Sequence, residues 1–319
     1  MRSYILIALR GMAMGMAEVV PGVSGGTIAF ITGIYERLIN AIKGINISNL
    51  KLLFAGKLSA FWKAIDGKFL LFLIGGMGTG IVTGVFSIAW LLEHHPLLIW
   101  GFFFGLILIS CYLMLKQIAK WSISSIGLIL AGTAIAYYVT VAQMGQGNEA
   151  LWFVFLSGVI AISALLLPGL SGSFILLLMG MYTLILPTAK EVFSSFDTDA
   201  LTILLVFMGG CLVGLFSFAR LLSWSFKTFP NQTLAILTGF LIGSLNKVWP
   251  WQMVNATRVN SHGETVVATT RSVWPSTFST LEENLVYGTE PKVIPVVICM
   301  ALGFFLVLGI ERAGKKLQA

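Results

Sequence analysis

The sequence predicts an all-α polytopic membrane protein. Three observations carry that prediction: charge is scarce, apolar runs reach spanning length, and two of those runs share a Pro-Gly-x-Ser-Gly interruption. Of 319 residues, 57% are hydrophobic and 10% charged, whereas a soluble domain carries about 25% charged residues. Mean hydropathy is +0.92. Runs such as Phe69–Leu92 and Leu97–Leu115 hold no formal charge and match the length that crosses a hydrocarbon core. The net charge of +7 does not point to nucleic acid, because most Lys and Arg flank apolar runs, where they set orientation and meet anionic headgroups. Cys111, Cys211 and Cys299 fall inside apolar runs and read as small buried hydrophobes. Arg10 interrupts the first apolar stretch and no small-residue cleavage site follows, so no cleaved signal peptide is expected.

The apolar stretches follow in order as Tyr4–Val20 continuing past a break to Ile42, Phe69–Leu92, Leu97–Leu115, Ser122–Ala142, Leu151–Thr188 with a break, Leu201–Leu222, Thr233–Trp249 and Val293–Ile310. The breaks are Pro21-Gly22-Val23-Ser24-Gly25 and Pro168-Gly169-Leu170-Ser171-Gly172. A shift of 147 residues also places Gly33 and Tyr35 on Gly180 and Tyr182. A shift of 134 then places Gly75, Gly76, Gly80, Pro96 and Gly105 on Gly209, Gly210, Gly214, Pro230 and Gly239. So many matches in one order indicate an internal duplication.

Loop charges set the orientation. Lys43–Lys68 holds five lysines against Asp66 and is expected in the cytoplasm. Alternating sides from there puts Glu93–Pro96, Gly145–Glu149, Lys190–Asp199 and Trp251–Pro291 outside. Lys116, Lys120, Arg220, Lys227, Arg312, Lys315 and Lys316 then lie inside with both termini. The two broken stretches hang from opposite sides, which predicts an inverted-topology repeat with two re-entrant helical hairpins and about six full transmembrane helices. Length favours hairpins, since Ile28–Ile42 makes about 22 Å of helix against a core of roughly 30 Å.

The expected organisation is repeat 1 over 1–120, with hairpin 3–42, amphipathic segment 43–68 and two spans. A connecting transmembrane helix covers 121–149, and repeat 2 covers 150–249 with hairpin 150–188 and two spans. A periplasmic segment, 250–291, carries no assigned role, and 292–319 is the last span with its tail.

The chemistry is expected at the breaks. Irregular backbone at membrane depth survives only against protein or a watery cavity, and a helix restarting there presents unpaired N–H groups. Ser24, Gly25, Gly26 and Thr27, with Ser171, Gly172 and Ser173 in the second copy, read as an anion-binding set; close helix packing is the alternative. Arg10 and Glu18 are intramembrane charges and functional candidates by default. Arg10 either neutralises a phosphate or snorkels to the surface, and Arg220 offers the same choice. Glu18 is a candidate for proton or cation coupling, and its counterpart is Leu165. Glu36 and Arg37 read as an interfacial cap, and His94 and His95 as a solvated turn. No metal, cofactor or nucleophile motif is present.

The string from Arg10 to Thr27 with Gly33-Ile34-Tyr35, and the second string from Leu167 to Phe174 with Gly180-Met181-Tyr182, resemble the PopT family of undecaprenyl-phosphate translocases. The likeness extends along essentially the whole chain, although that family often has Asp where this chain has Glu18. It implies a flippase of the bacterial cytoplasmic membrane that returns undecaprenyl phosphate from the outer to the inner leaflet; alternating access is expected from the two hairpin tips converging near the midplane. The residues themselves add an expected coupling of Glu18 to a proton or sodium gradient, and contact of the amphipathic segment 43–68 with membrane lipids. A transporter of a small soluble anion and a membrane-embedded lipid-phosphate enzyme are the competing readings.

Overall fold

The computed structural model describes residues 2–20, 23–142, 145, 147–195, 197–259, 265–280 and 290–316. The chain opens with α1 (Arg2–Glu18), α2 (Gly25–Ile31), α3 (Tyr35–Gly44), α4 (Ile47–Phe54) and α5 (Leu58–Ala64). Three long helices follow, α6 (Gly67–His94), α7 (Pro96–Gln117) and α8 (Ile123–Val141). The pattern then recurs as α9 (Leu151–Leu166), α10 (Gly172–Leu178), α11 (Tyr182–Ser195), α12 (Thr198–Thr228) and α13 (Pro230–Ser244). The chain finishes with β1 (Gln252–Val259), β2 (Thr265–Ser272), α14 (Pro275–Phe278) and α15 (Val293–Lys316).

Among the described residues, five helices are long and apolar enough to cross a membrane: α6, α7, α8, α12 and α15. This makes the protein polytopic. The count falls short of the expected six because the stretch Thr233–Trp249 yields α13, with 15 residues or about 22 Å of helix. Beyond Ser244 the backbone tightens into turns, with Lys247 N–H bonding to the Ser244 carbonyl at 2.9 Å. The Gln252 amide then donates to the carbonyls of Asn246 at 3.0 Å and Trp249 at 3.1 Å.

The all-α expectation needs one correction. Residues 250–291 hold an antiparallel hairpin in which Gln252 faces Ser272 and Val259 faces Thr265. Residues 260–264 and 281–289 of that segment lie outside the described residues. The hairpin is seated by tryptophans, whose indole N–H groups need partners when buried. Trp249 donates to the Val273 carbonyl at 2.8 Å and Trp251 to the Pro291 carbonyl at 2.7 Å. Trp251 and Phe278 join Leu97 and Val296 in one buried cluster.

The chain divides into two compact units, Met1–Val85 with Gln146–Thr233, and Phe86–Gly145 with Leu234–Ala319. In the first unit α1 runs parallel to α6, and α9 parallel to α12. A side chain at Gly76 would collide with the Ala8 carbonyl, and one at Gly80 with the Met12 carbonyl. At Gly210 and Gly214 the same intrusion meets the carbonyls of Phe155 and Val159. These partners obey both sequence shifts, 134 on one helix and 147 on the other. Close approach of small residues is how apolar helices gain dispersion contact when lipid is equally apolar.

The second unit pairs α7 with α15 and α8 with α13, both pairs parallel. Gly105 packs on Met300 and Gly303 on Phe102, while Gly239 packs on Ile129 and Gly132 on Ile236. Because α7 matches α13 in sequence, α15 and α8 stand in matching relations to them.

Each broken stretch of the first unit is interrupted twice, where the sequence reading placed one break. Ile28–Ile42 is not one arm: α2 closes at Ile31 and α3 restarts at Tyr35. Gly33 turns the chain with φ +72°, and Gly180 repeats this with φ +71°, a conformation glycine adopts without a Cβ penalty. Both turns are Schellman closures. Ile34 N–H bonds to the Ala29 carbonyl at 2.9 Å and Met181 N–H to the Leu176 carbonyl at 3.0 Å. The apolar residue after each glycine is buried, Ile34 at 3% and Met181 at 0% exposure.

Candidate functional site

Pro21 and Gly22 lie outside the described residues, but the elements flanking them show the first break. α1 stops at Glu18 and α2 starts at Gly25, with Ser24 in an extended conformation as its N-cap. The second break repeats this, with α9 ending at Leu166, Gly169 at φ +84° and Ser171 capping α10. Each serine takes up an early helix amide, as N-caps do. Ser24 Oγ accepts from Gly26 N–H at 3.1 Å, and Ser171 Oγ from Phe174 N–H at 3.4 Å.

The two breaks meet inside the first unit. A helix leaves its last carbonyls without helical partners, and those of α9 are met by side chains from the first copy. Ser24 Oγ donates to the carbonyls of Leu167 at 3.3 Å and Leu165 at 3.4 Å. Tyr35 Oη donates to the Leu166 carbonyl at 2.8 Å. In the other direction, Gly169 N–H donates to Thr27 Oγ1 at 3.0 Å. A Cβ at Gly26 would sit 3.2 Å from the carbonyls of Leu165 and Leu166, so the backbones are in direct contact. Ser24, Thr27, Tyr35 and Ser171 are all buried.

Glu18 belongs to this site by direct contact. Its Oε1 accepts from Gly25 N–H at 2.7 Å, a charge-assisted geometry when the carboxylate is ionised. The unpaired amides expected at the start of α2 are therefore taken: Gly25 by Glu18, Gly26 by Ser24 Oγ, and Thr27 by the Ser24 carbonyl at 2.9 Å. The cause is local. The turn after Glu18 folds the end of α1 back beside the start of α2, and the carboxylate has the reach to bridge them.

The other expected site residues divide. Gly172 is buried against Ala161 and Leu165, while Ser173 is exposed and its hydroxyl pairs with Ser171 at 2.9 Å. Arg10 is half-buried on α1, about 12 Å of helix from Glu18, and within electrostatic reach of Arg37. Arg220 is exposed and donates to the Phe216 carbonyl of its own helix at 3.4 Å. Among the described residues no hydrogen bond joins Arg10 or Arg220 to either break.

Two contributors, Tyr35 and Ser223, lay outside the sequence reading, and a third, Arg37, was expected only as part of an interfacial cap. Tyr35 was visible only as half of a repeated Tyr pair, without its carbonyl partner. Arg37 forms a two-pronged ion pair with Asp66, at 2.6 and 3.2 Å, and its guanidinium lies 4.4 Å from the centre of the Phe69 ring. Ser223, buried on α12, donates to Asn40 at 3.0 Å and accepts from Lys43 at 3.1 Å, tying α3 to α12.

The architecture and this joined pair of breaks define a polytopic membrane protein with a buried polar junction between its two interrupted segments. The chain matches, over residues 14–266, a family described as undecaprenyl phosphate translocase-like, and it belongs to that family. It is 44% identical to a polyprenyl-phosphate transporter of Vibrio cholerae, over 98% of each chain. It is 33% identical to a polyprenyl-phosphate transporter of Staphylococcus aureus, over 76% of this chain and 85% of that one. The resemblance read from the Arg10–Thr27 string is thereby borne out. No solved structure matches the chain.

Proposed function

We propose that this protein is a lipid transporter that carries undecaprenyl phosphate from the outer to the inner leaflet of the cytoplasmic membrane by alternating access. The observation that carries the reading is the junction of the two breaks, where Ser24 and Thr27 bond to the backbone around Leu165–Gly169. A monoester phosphate moved through hydrocarbon needs donors and a cation in a protein-lined place, while its prenyl tail stays in lipid. Arg10 supplies the cation, with Arg220 as a second candidate. Ser24, Gly25, Gly26, Thr27, Ser171, Gly172 and Ser173 supply hydroxyls and amides.

The inverted repeat and re-entrant hairpins belong to the same proposal, as does the placement of both termini in the cytoplasm. Helix direction supports them. α7 and α8 are joined by five residues, 118–122, so as consecutive spans they run oppositely. α13 runs with α8 while its sequence counterpart is α7, which makes the two copies opposite in sense. α1 and α9, at 17 and 16 residues, give about 24–26 Å of helix and stop short of a roughly 30 Å core. On this reading α8 and α15 close the first and second copy.

Glu18 holds the first amide of α2 in place of a substrate. Phosphate binding displaces it, and its protonation removes the charge that strengthens its bond to Gly25, which couples substrate entry to a proton; sodium is the competing ion. The test is leaflet-specific detection of undecaprenyl phosphate in proteoliposomes, with and without an imposed gradient. The protein should move the lipid chemically unchanged, and Arg10→Gln should abolish movement in a folded chain. Movement of soluble phosphate alone, or conversion of the lipid, would overturn the reading.

A further inference from the structure

In the first unit, Arg37 and Asp66 face each other across a fixed seam. α3 is held at both ends, by Tyr35 on the Leu166 carbonyl and by Asn40 and Lys43 on Ser223. The turn between α5 and α6 rests on the last residue of α3, where a Cβ at Gly44 would lie 2.7 Å from the Ala64 carbonyl. Asp66 sits in that turn with φ +50°, a left-handed backbone that few residues other than Gly, Asn and Asp adopt. Its carboxylate meets the Arg37 guanidinium two-pronged, at 2.6 and 3.2 Å. The guanidinium also lies over the ring of Phe69, which is buried. Both charged side chains stay partly open, at 47% and 40% exposure, so a headgroup can reach them. An ion pair this exposed is weakly held. The same two-pronged geometry serves a phosphate, so the carboxylate stands where a phosphomonoester would sit.

Arg10 lies within electrostatic reach of the same guanidinium. Its neighbour Gly11 meets Leu73, and Phe69 lies four residues, about 6 Å, nearer the start of α6. Glu18 and the first break lie the other way along α1. We propose that Arg37 receives the phosphomonoester headgroup of the transported lipid after Arg10, and that Asp66 competes with the headgroup for Arg37. This rests on the transport reading, in which the Lys43–Lys68 side of the unit is the receiving, cytoplasmic side. The headgroup leaves the breaks for Arg10, passes to Arg37, and is released when Asp66 reclaims the guanidinium.

Retention of undecaprenyl phosphate by the full chain in detergent, followed by native mass spectrometry, tests it with variants of opposite expected sign. Arg37→Gln should weaken retention by about tenfold, the loss of one charged hydrogen-bonding group. Asp66→Asn suits the left-handed backbone and removes the competitor, so retention should tighten by about threefold. In the double variant that gain should vanish, since Asp66 acts through Arg37. A pair that only pins the turn to α3 would move both single variants the same way. Unchanged retention in Arg37→Gln, weaker retention in Asp66→Asn, or a gain that survives in the double variant would overturn the proposal. Displacement of the lipid by equimolar inorganic phosphate would assign Arg37 to a soluble anion and overturn it as well. A wild type that retains no undecaprenyl phosphate would overturn the transport reading, and this inference with it.

Discussion

The first break and the second have one backbone and two chemistries. α2 and α10 each have seven residues, each begins after a capping serine, and each closes at a glycine with φ near +70°. Gly25 rests on the Met14 carbonyl as Gly172 rests on Ala161. The side chains then diverge. Where the first copy has Glu18, Gly26 and Thr27, the second has Leu165, Ser173 and Phe174. The first copy provides the hydroxyls that bond across, and the second provides mostly backbone carbonyls. The two breaks share a backbone frame, while charge and donors are concentrated on one side.

If the frame is shared, the largest effect should be equal in the two copies. Gly76→Leu and Gly210→Leu each drive a side chain into a backbone carbonyl, at Ala8 and Phe155. Each should destabilise by about 3 kcal/mol, the upper part of the overpacking range, and a large loss of monodisperse protein should follow in both. A tolerated substitution in either copy breaks the comparison. Next comes Glu18→Leu, which gives the first copy the residue of the second. It removes a charged hydrogen bond worth about 1.5–3 kcal/mol, and transport should fall about ten- to a hundredfold while the thermal melt stays sharp. Activity equal to wild type would remove Glu18 from the cycle.

Smaller effects sharpen the asymmetry. Thr27→Val leaves the buried Gly169 N–H without its acceptor, at a cost of about 1–3 kcal/mol, read as a lowered melting temperature in detergent. Tyr35→Phe removes the donor to the Leu166 carbonyl and should cost about 1 kcal/mol. The matched Tyr182→Phe should stay within about 0.5 kcal/mol, since that hydroxyl forms no hydrogen bond among the described residues. Equal effects for the two tyrosines would contradict the unequal chemistry.

Much of this was legible from residues alone. Three glycine matches at the shift of 134, Gly76 with Gly210, Gly80 with Gly214 and Gly105 with Gly239, mark helix contacts, because only small residues let backbones touch, whereas Gly75 and Gly209 face open space. Pro-Gly and a following serine mark where a helix stops and restarts. The second turn at Gly33 and Gly180 was not legible, although the two glycines match at the shift of 147, because an apolar run on each side hides a helix end. The partners of Ser24, Thr27 and Tyr35 were not legible, since they are backbone groups more than 130 residues away. The hairpin at Gln252–Ser272 was not among the expected elements, although Val and Thr, which favour strands, recur in both arms.

The central claim is that the joined breaks receive the lipid phosphate. It is tested most directly with a polyprenyl phosphate bearing a photoreactive group next to its headgroup, activated in membranes and mapped by peptide sequencing. The account predicts adducts within residues 10–27 and 165–173, competed by unmodified undecaprenyl phosphate and weakened by Arg10→Gln. Competed adducts confined to residues 86–145 and 234–319 would contradict it.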